Sequence, residues 1–292
     1  MKPMPFQYHR AASLDDALTV LGQAAGGGRL LSGGQSLVPM LNLRLLPADV
    51  LIDLKRLTAL HAVDTTGDSI RYGACITHAR FEDGDVPDAC GGLLRHVGGG
   101  IAYRAVRNRG TLGGALALAD ASTDWVTAMM TAGASVELYG VRGTRRMSVS
   151  EFVQGPYQTR IDPDTEILVA VTVPQVSRTS RWGYYKIMQK PGEYASSLAG
   201  VLIDREHGHS RATLGGANRA PLALERTATT LATAPAWSAA LETALSEAVR
   251  ADLSSAGRGG EPWEQASWTT CVLRAARHAL TSTQSPNGHP CP

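Results

Sequence analysis

The chain has 292 residues, which is long enough for two domains, or for one large domain, with a proper hydrophobic core. Its apolar fraction of 43% and charged fraction of 18% are typical of globular proteins, and a net charge of +2 gives no electrostatic reason to expect binding to nucleic acid or an anionic membrane. No apolar run reaches the roughly 18 residues of a membrane span, and the N-terminus lacks a signal-peptide core. We therefore expect a cytoplasmic protein.

The first half of the chain mixes helix and strand patterns. Residues 13–25 predict a helix, because Ser13 is a suitable N-cap and Leu14, Leu18 and Leu21 share one face. A second helix is expected at 124–133, capped by Ser122 or Thr123. Strands are predicted at 29–31, 50–52, 135–139 and 167–173, with a hairpin between 58 and 76 around a Thr-Thr-Gly-Asp turn.

Pro174 and the polar residues 175–180 mark the best candidate domain boundary. Strands are expected beyond it at 182–188, 198–203 and 211–214, followed by long helices near 221–252 and 264–281. Strands and helices do not alternate strictly, so the predicted fold class is α+β. The domains are expected at 1–175, with subdomains of about 1–57 and 58–175, and at 176–285, with a loose tail at 286–292.

Two glycine-rich motifs carry the chemistry that the sequence offers. The first is Ser32-Gly33-Gly34-Gln35-Ser36 and the second is Thr111-Leu112-Gly113-Gly114-Ala115. Paired glycines remove the Cβ atoms that would keep a ligand away, and their exposed N–H groups can converge on phosphate oxygens. Neither motif is a Rossmann GxGxxG or a P-loop. Two such motifs in one domain favour a dinucleotide, although each motif alone could mark a tight turn.

The segments SGGQSLVPMLNLRLLPADVLIDL and RNRGTLGGALALADASTDW resemble the FAD-binding medium subunit of the molybdenum hydroxylases, the family of xanthine dehydrogenase and carbon monoxide dehydrogenase. The resemblance extends from PFQYHRAASLDDAL through ILVAVTVP and KIMQKPGEYA to the C-terminal helices. It implies a vanillyl-alcohol-oxidase-like (PCMH-type) FAD-binding domain of two subdomains, followed by a smaller α+β C-terminal domain like that of the carbon monoxide dehydrogenase flavoprotein.

The resemblance also implies the residues that contact FAD. Both glycine motifs would wrap the pyrophosphate, and Asp124 would accept hydrogen bonds from a sugar hydroxyl. Tyr194 would pack on the flavin ring. The full implied set is Ser32, Gly33, Gly34, Gln35, Ser36, Leu37, Thr111, Leu112, Gly113, Gly114, Ala115, Asp124, Leu168, Lys186 and Tyr194. No residue of this chain is expected to be an acid–base catalyst or a metal ligand.

Several positions are open or depart from the family pattern. Ala115, Leu118 and Ala121 replace the usual serine or asparagine, histidine and proline of the family, which affects redox tuning more than binding. Arg107 and Arg109 could contact phosphate, or they could hold the loop or face a partner. A second TLGGA at 213–217 lacks a matching flank and is expected to end a strand, not to bind a cofactor.

The function that the resemblance implies is electron transfer in a larger enzyme. A large subunit would carry the molybdenum cofactor, a small subunit would carry two [2Fe–2S] clusters, and the whole would be a dimer of heterotrimers. The four cysteines of this chain form no Cys-x-x-Cys pair, as expected if the clusters are elsewhere. Two alternatives are a free-standing flavin oxidase and a nucleotide-binding assembly module without redox function. The sequence identifies neither the substrate nor the electron acceptor.

Overall fold

A computed structural model describes residues 2–216 and 219–281, so the predicted tail at 286–292 lies outside the described residues. The N-terminal part contains a parallel sheet in the order β1-β3-β2. The predicted helix from Ser13 is confirmed, because the Ser13 hydroxyl accepts a hydrogen bond from the Asp16 N–H at 3.0 Å. The elements are β1 (Gln7–Arg10), α1 (Leu14–Gln23), β2 (Gly28–Leu31), α2 (Leu37–Asn42) and β3 (Val50–Asp53).

The second part is built on an antiparallel sheet in the order β4-β5-β10-β6-β7. The predicted hairpin between 58 and 76 is confirmed as β4 and β5. The elements are a 3-10 helix (Thr58–His61), β4 (Val63–Thr66), β5 (Ser69–Gly73), α3 (His78–Glu82), α4 (Leu93–Gly100), α5 (Arg104–Arg107), α6 (Leu112–Leu118), α7 (Asp124–Ala132), β6 (Ser135–Gly140), β7 (Gly143–Ser148), α8 (Val149–Phe152), β8 (Val153–Gly155), β9 (Gln158–Thr159) and β10 (Glu166–Pro174).

The third part is a four-stranded antiparallel sheet in the order β11-β12-β13-β14, covered by three helices. One prediction was wrong here. The helix expected over 221–252 is interrupted, because Pro235 cannot continue a helix and Ser238 caps a new one through the Leu241 N–H at 3.1 Å. The elements are β11 (Arg181–Ile187), β12 (Ser197–Asp204), β13 (His209–Gly216), β14 (Leu222–Ala223), α9 (Glu225–Thr233), α10 (Ala239–Ser255) and α11 (Pro262–Thr281).

Helix α7 lies where the second and third parts meet. Its buried residues pack into the core of the five-stranded sheet on one side and against β12 and β13 on the other. The fold is therefore α+β, as the sequence predicts. Within the described residues, no helix combines the length and apolar character needed to cross a membrane.

Candidate cofactor-binding site

The two glycine motifs lie side by side, although 79 residues separate Ser32 from Thr111. The two hydroxyl oxygens are 2.9 Å apart. A side chain at Gly33 would collide with the backbone carbonyl of Arg109, which belongs to the segment just before the second motif. Because a backbone atom cannot swing aside as a side chain can, only glycine allows the two motifs to approach this closely.

The first motif offers free backbone donors. Within residues 2–216 and 219–281, no acceptor lies within hydrogen-bond reach of the N–H groups of Gly33, Gly34, Gln35, Ser36 or Leu37. Gly34 has a φ of +73°, a conformation in which glycine is favoured, and helix α2 begins at the next turn. Consecutive unpaired N–H groups of this kind form an anion-binding concavity.

The second motif differs from the expectation. Its residues begin helix α6, and their N–H groups are already used inside the protein. The Leu112 N–H donates to the Ile76 carbonyl at 3.0 Å, and the Gly113 N–H donates to the Ala74 carbonyl at 2.9 Å. The Gly114 N–H donates to the Thr111 hydroxyl at 3.1 Å. The second motif therefore supplies room for a ligand and the Thr111 hydroxyl. The first motif supplies the free backbone N–H groups.

A cavity of about 510 Å³ runs between the motifs. Most of the predicted contact residues line it, namely Ser32, Gly33, Gly34, Gln35, Ser36, Leu37, Thr111, Gly114, Ala115, Asp124 and Tyr194. Leu112 and Gly113 lie behind its wall, where Gly113 packs directly on Ala74. Leu168 is buried in β10 and does not line the cavity.

Asp124 and Lys186 form an ion pair beside the cavity and join the second and third parts of the fold. The Lys186 Nζ lies 3.0 Å from Asp124 Oδ1, and it also donates to the Gly100 carbonyl at 2.7 Å. The Tyr184 hydroxyl donates to the same carboxylate at 3.1 Å. Burial raises the pKa of Asp124 above its ordinary value, and the Lys186 ammonium partly offsets that effect. Lys186 does not line the cavity itself, and it acts on the site by holding the Asp124 carboxylate.

Arg107 holds the wall of the cavity. Its Nε and Nη2 atoms donate to both carboxylate oxygens of Glu82 at 2.7 and 2.8 Å, and its Nη1 donates to the carbonyls of Ile101 and Ala102 at 3.0 Å each. Ala102 has a φ of +41°, which is uncommon for a residue with a side chain. Arg107 could contact phosphate, hold the loop or face a partner, and these contacts favour the role of holding the loop.

Aromatic side chains stand at the mouth. Tyr103 is 65% exposed and Tyr194 is 66% exposed, yet both line the cavity. Gly192, with a φ of +86°, lies against the Tyr103 ring, so that a Cβ there would sit 3.1 Å from it. The loop after β11 and the segment after α4 therefore meet at the opening.

His78 lines the cavity, although no sequence motif singles it out. It is 5% exposed, and its Nδ1 accepts a hydrogen bond from the Trp125 indole N–H at 2.9 Å. Burial lowers the pKa of His78 to about 4, with a smaller contribution from Arg107. No local pattern identifies this residue, because its partner lies 47 positions away.

Other sequence expectations concern the surroundings of the cavity. Asp120 is a loop and capping residue, since it accepts hydrogen bonds from the Ser122 N–H at 2.8 Å and the Tyr157 hydroxyl at 2.7 Å. The second TLGGA ends β13 at Gly216, as expected, and its Ala217 lies outside the described residues. Cys75, Cys90 and Cys271 are buried and unpaired. No cluster of metal-ligating side chains occurs in the described part of the chain.

The cavity fits a dinucleotide with a pyrophosphate. It has free N–H groups on one wall, glycines where a Cβ would fill the space, and a buried carboxylate at one side. Aromatic rings at the opening suit a flat apolar ring system.

Comparison with known proteins agrees with this geometry. Residues 4–176 match the family "FAD binding domain in molybdopterin dehydrogenase". The chain is 31% identical over 284 residues to the carbon monoxide dehydrogenase medium chain of Afipia carboxidovorans, covering 96% of this chain and 98% of the relative. It is 33% identical over 220 residues to the nicotine 6-hydroxylase medium subunit of Paenarthrobacter nicotinovorans, covering 74% and 76%.

Solved structures give the same result. Carbon monoxide dehydrogenase from Hydrogenophaga pseudoflava superposes with a TM-score of 0.86 at 29% identity, covering 96% of this chain and 98% of that chain. Quinoline 2-oxidoreductase from Pseudomonas putida 86 superposes with a TM-score of 0.84 at 28% identity, with the same coverage. The N-terminal region therefore has the PCMH-type FAD-binding fold, and the chain belongs to the FAD-binding medium subunits of the molybdenum hydroxylases, which are oxidoreductases.

Proposed function

We propose that this chain carries FAD in the cavity between the two glycine motifs and acts as the electron-transfer subunit of a molybdenum hydroxylase. The observation that carries the proposal is the meeting of the two motifs across one cavity, with free N–H groups on the first and no room for a Cβ on Gly33. FAD, when bound, supplies the redox chemistry that no side chain can provide.

The side chains of this protein would then hold and shield the cofactor. The N–H groups of Gly33 to Leu37 would bind the pyrophosphate, with Ser32 and Thr111 beside them. Asp124, positioned by Lys186 and Tyr184, would accept from a sugar hydroxyl. Tyr194 would cover the flavin at the mouth of the cavity, which its side chain lines. The contacts of Leu112, Gly113, Ala115, Leu168 and Lys186 with FAD remain predictions.

The partners follow from the family. The relatives are named as medium chains or subunits of carbon monoxide dehydrogenase, nicotine 6-hydroxylase and other dehydrogenases. We infer a large subunit with the molybdenum cofactor, a small subunit with [2Fe–2S] clusters, and a dimer of these heterotrimers. Electrons from the substrate would reach this chain through the clusters and leave to an external acceptor. A cytoplasmic location also remains a prediction.

The test is to tag the chain in its native host, purify it with its bound partners, and measure flavin, molybdenum and iron in the complex. The proposal predicts one FAD per tagged chain and two co-purifying subunits, with molybdenum and iron in the complex. A lone chain that binds FAD and turns over a substrate by itself would favour the free-standing oxidase. A lone chain that takes up no FAD would favour the assembly module.

A further inference from the structure

His78 is held firmly in the wall of the cavity. Its backbone N–H donates to the Gly110 carbonyl at 3.0 Å, which ties it to the start of the second glycine motif. Its ring lies so close to Gly110 that a Cβ there would be 2.6 Å from His78 Nε2. The Trp125 indole holds the other nitrogen, Nδ1, at 2.9 Å.

These contacts fix the tautomer. An indole N–H can only donate, so the His78 Nδ1 that receives it must be unprotonated. Burial keeps the ring neutral, since the pKa of His78 is lowered to about 4. The single ring proton is therefore on Nε2, which makes this atom a donor.

In residues 2–216 and 219–281, His78 Nε2 forms no hydrogen bond. His78 is 5% exposed, and Nε2 lies at the surface of the cavity instead of being sealed inside the protein. The acceptor for this donor must therefore come from the cavity, and we expect a bound ligand to supply it.

The position of Nε2 indicates which part of the ligand accepts its hydrogen bond. It lies against Gly110 and next to Thr111, at the second motif, where the N–H groups of Leu112, Gly113 and Gly114 are already bonded within the protein. This side of the cavity therefore depends on side-chain donors. We infer that His78 is a cofactor-binding residue whose Nε2–H donates a hydrogen bond to a pyrophosphate oxygen of the bound dinucleotide. The inference rests on the proposed FAD function.

Two substitutions separate this role from a structural one. His78→Gln places an amide N–H near the Nε2 position but loses the acceptor for Trp125. His78→Asn keeps an oxygen near the Nδ1 position for Trp125 but does not reach the cavity. The dissociation constant of FAD should rise roughly 10- to 100-fold in His78→Asn and by only a few-fold in His78→Gln, as expected for loss of a hydrogen bond to a charged group. His278→Asn, at a half-buried histidine on α11 outside the cavity, should leave FAD affinity unchanged.

Phosphorus NMR of the bound cofactor gives a second readout. The pyrophosphate resonances should shift between the wild-type chain and His78→Asn, and less in His78→Gln. In the wild-type chain, the ¹⁵N–¹H resonance of His78 Nε2 should move when FAD is added, and this measurement requires no variant to fold. Equal FAD affinity in all three chains, the reverse order of the two variants, or unmoved phosphorus and nitrogen resonances would overturn the inference. If the wild-type chain binds no FAD at all, the proposed function itself fails.

Discussion

At the scale of single residues, the glycines of the first motif and of its surroundings have different physical roles. Gly33 is needed because the Arg109 carbonyl occupies the space of its side chain. Gly34 is needed because its backbone has a positive φ of +73°. Gly113 lies behind the cavity and packs on Ala74. These glycines look alike in the sequence, but each is required for a different reason: close approach at Gly33, backbone conformation at Gly34 and packing at Gly113.

The Gly33→Ala variant tests the close approach of the motifs. The new methyl group meets a backbone carbonyl, so the two motifs must separate. We expect FAD binding to weaken by about 1–3 kcal/mol and stability to fall as well, because overpacking of a tight site has costs of this size. Calorimetric titration with FAD and thermal unfolding measure the two contributions. Gly22→Ala, on helix α1 with open space around it, is the matched control; it should leave FAD affinity unchanged and should not lower stability, because alanine favours a helix more than glycine does. Equal FAD affinity in the Gly33 variant would contradict the geometry.

His78 also predicts a pH dependence of stability. Its pKa is about 4 when folded and 6.5 when exposed, so the unfolded chain binds more protons between these values. The free energy of unfolding should therefore fall as the pH is lowered from about 6.5 to about 4, by up to about 3 kcal/mol from this residue. Thermal unfolding of the FAD-free chain at several pH values measures this fall in the free energy of unfolding. His78→Gln removes this titrating group and should make the profile less steep in this window, to which His96 also contributes because burial lowers its pKa to about 4; an unchanged slope would contradict the assignment.

At the scale of elements, the second TLGGA motif serves packing. Gly215 on β13 has no space for a side chain because the Thr127 hydroxyl of helix α7 lies against it, and Gly200 on β12 meets Thr131 of the same helix. Helix α7 can therefore lie close to the third sheet. Asp124 is the first residue of that helix, so this packing also places the carboxylate beside the cavity.

This packing role predicts that alanine is poorly tolerated at Gly215. Gly215→Ala should destabilise the chain by about 1–3 kcal/mol through the clash with Thr127. The double variant Gly215→Ala, Thr127→Ala should recover part of that loss, because it removes the opposing hydroxyl. Chemical denaturation of these two variants and of the single variant Thr127→Ala gives the coupling free energy. Strictly additive effects would show that the two residues do not press on each other.

Local signals determine how far the sequence predicts these elements. Ser13 and Asp16 are three residues apart, and the helix that they predict is present. The TLGGALAL segment reads as a loop because of its glycines, yet it is helix α6, whose first N–H groups bond to Ile76 and Ala74. The Trp125–His78 bond likewise joins distant residues. The motifs are visible in the sequence, whereas the donors that remain free for a ligand are decided by tertiary contacts.

At the scale of the whole molecule, the cavity is bounded by segments from all three parts of the fold. The first part presents Ser32 to Leu37 in the segment after β2, the second part presents Thr111 and Asp124, and the loop after β11 presents Tyr194. The Lys186–Asp124 pair joins the second and third parts, with each side chain 12% exposed. We therefore expect the folding of the third part to be coupled to the completion of the cavity.

The Lys186→Met variant tests that coupling. It leaves the Asp124 carboxylate buried without its cation, and loss of one partner of a buried pair costs about 3–5 kcal/mol. We expect lower stability and weaker FAD binding at neutral pH. The loss should shrink as the pH falls and Asp124 becomes protonated, and the Lys186→Met, Asp124→Asn double variant should be less affected than the single one. Thermal unfolding from pH 5 to 8 measures both. A single variant as stable as the wild type would show that the pair contributes nothing.

The central claim is that the cavity between the glycine motifs holds FAD. The most direct measurement is a titration of the FAD-free chain with FAD, followed by absorption spectroscopy and mass analysis of the cofactor released from the washed complex. The structure predicts one FAD bound per chain in the wild type and much weaker binding in Gly33→Ala. A wild-type chain that stays colourless, or a Gly33→Ala chain that binds FAD as tightly as the wild type, would contradict it.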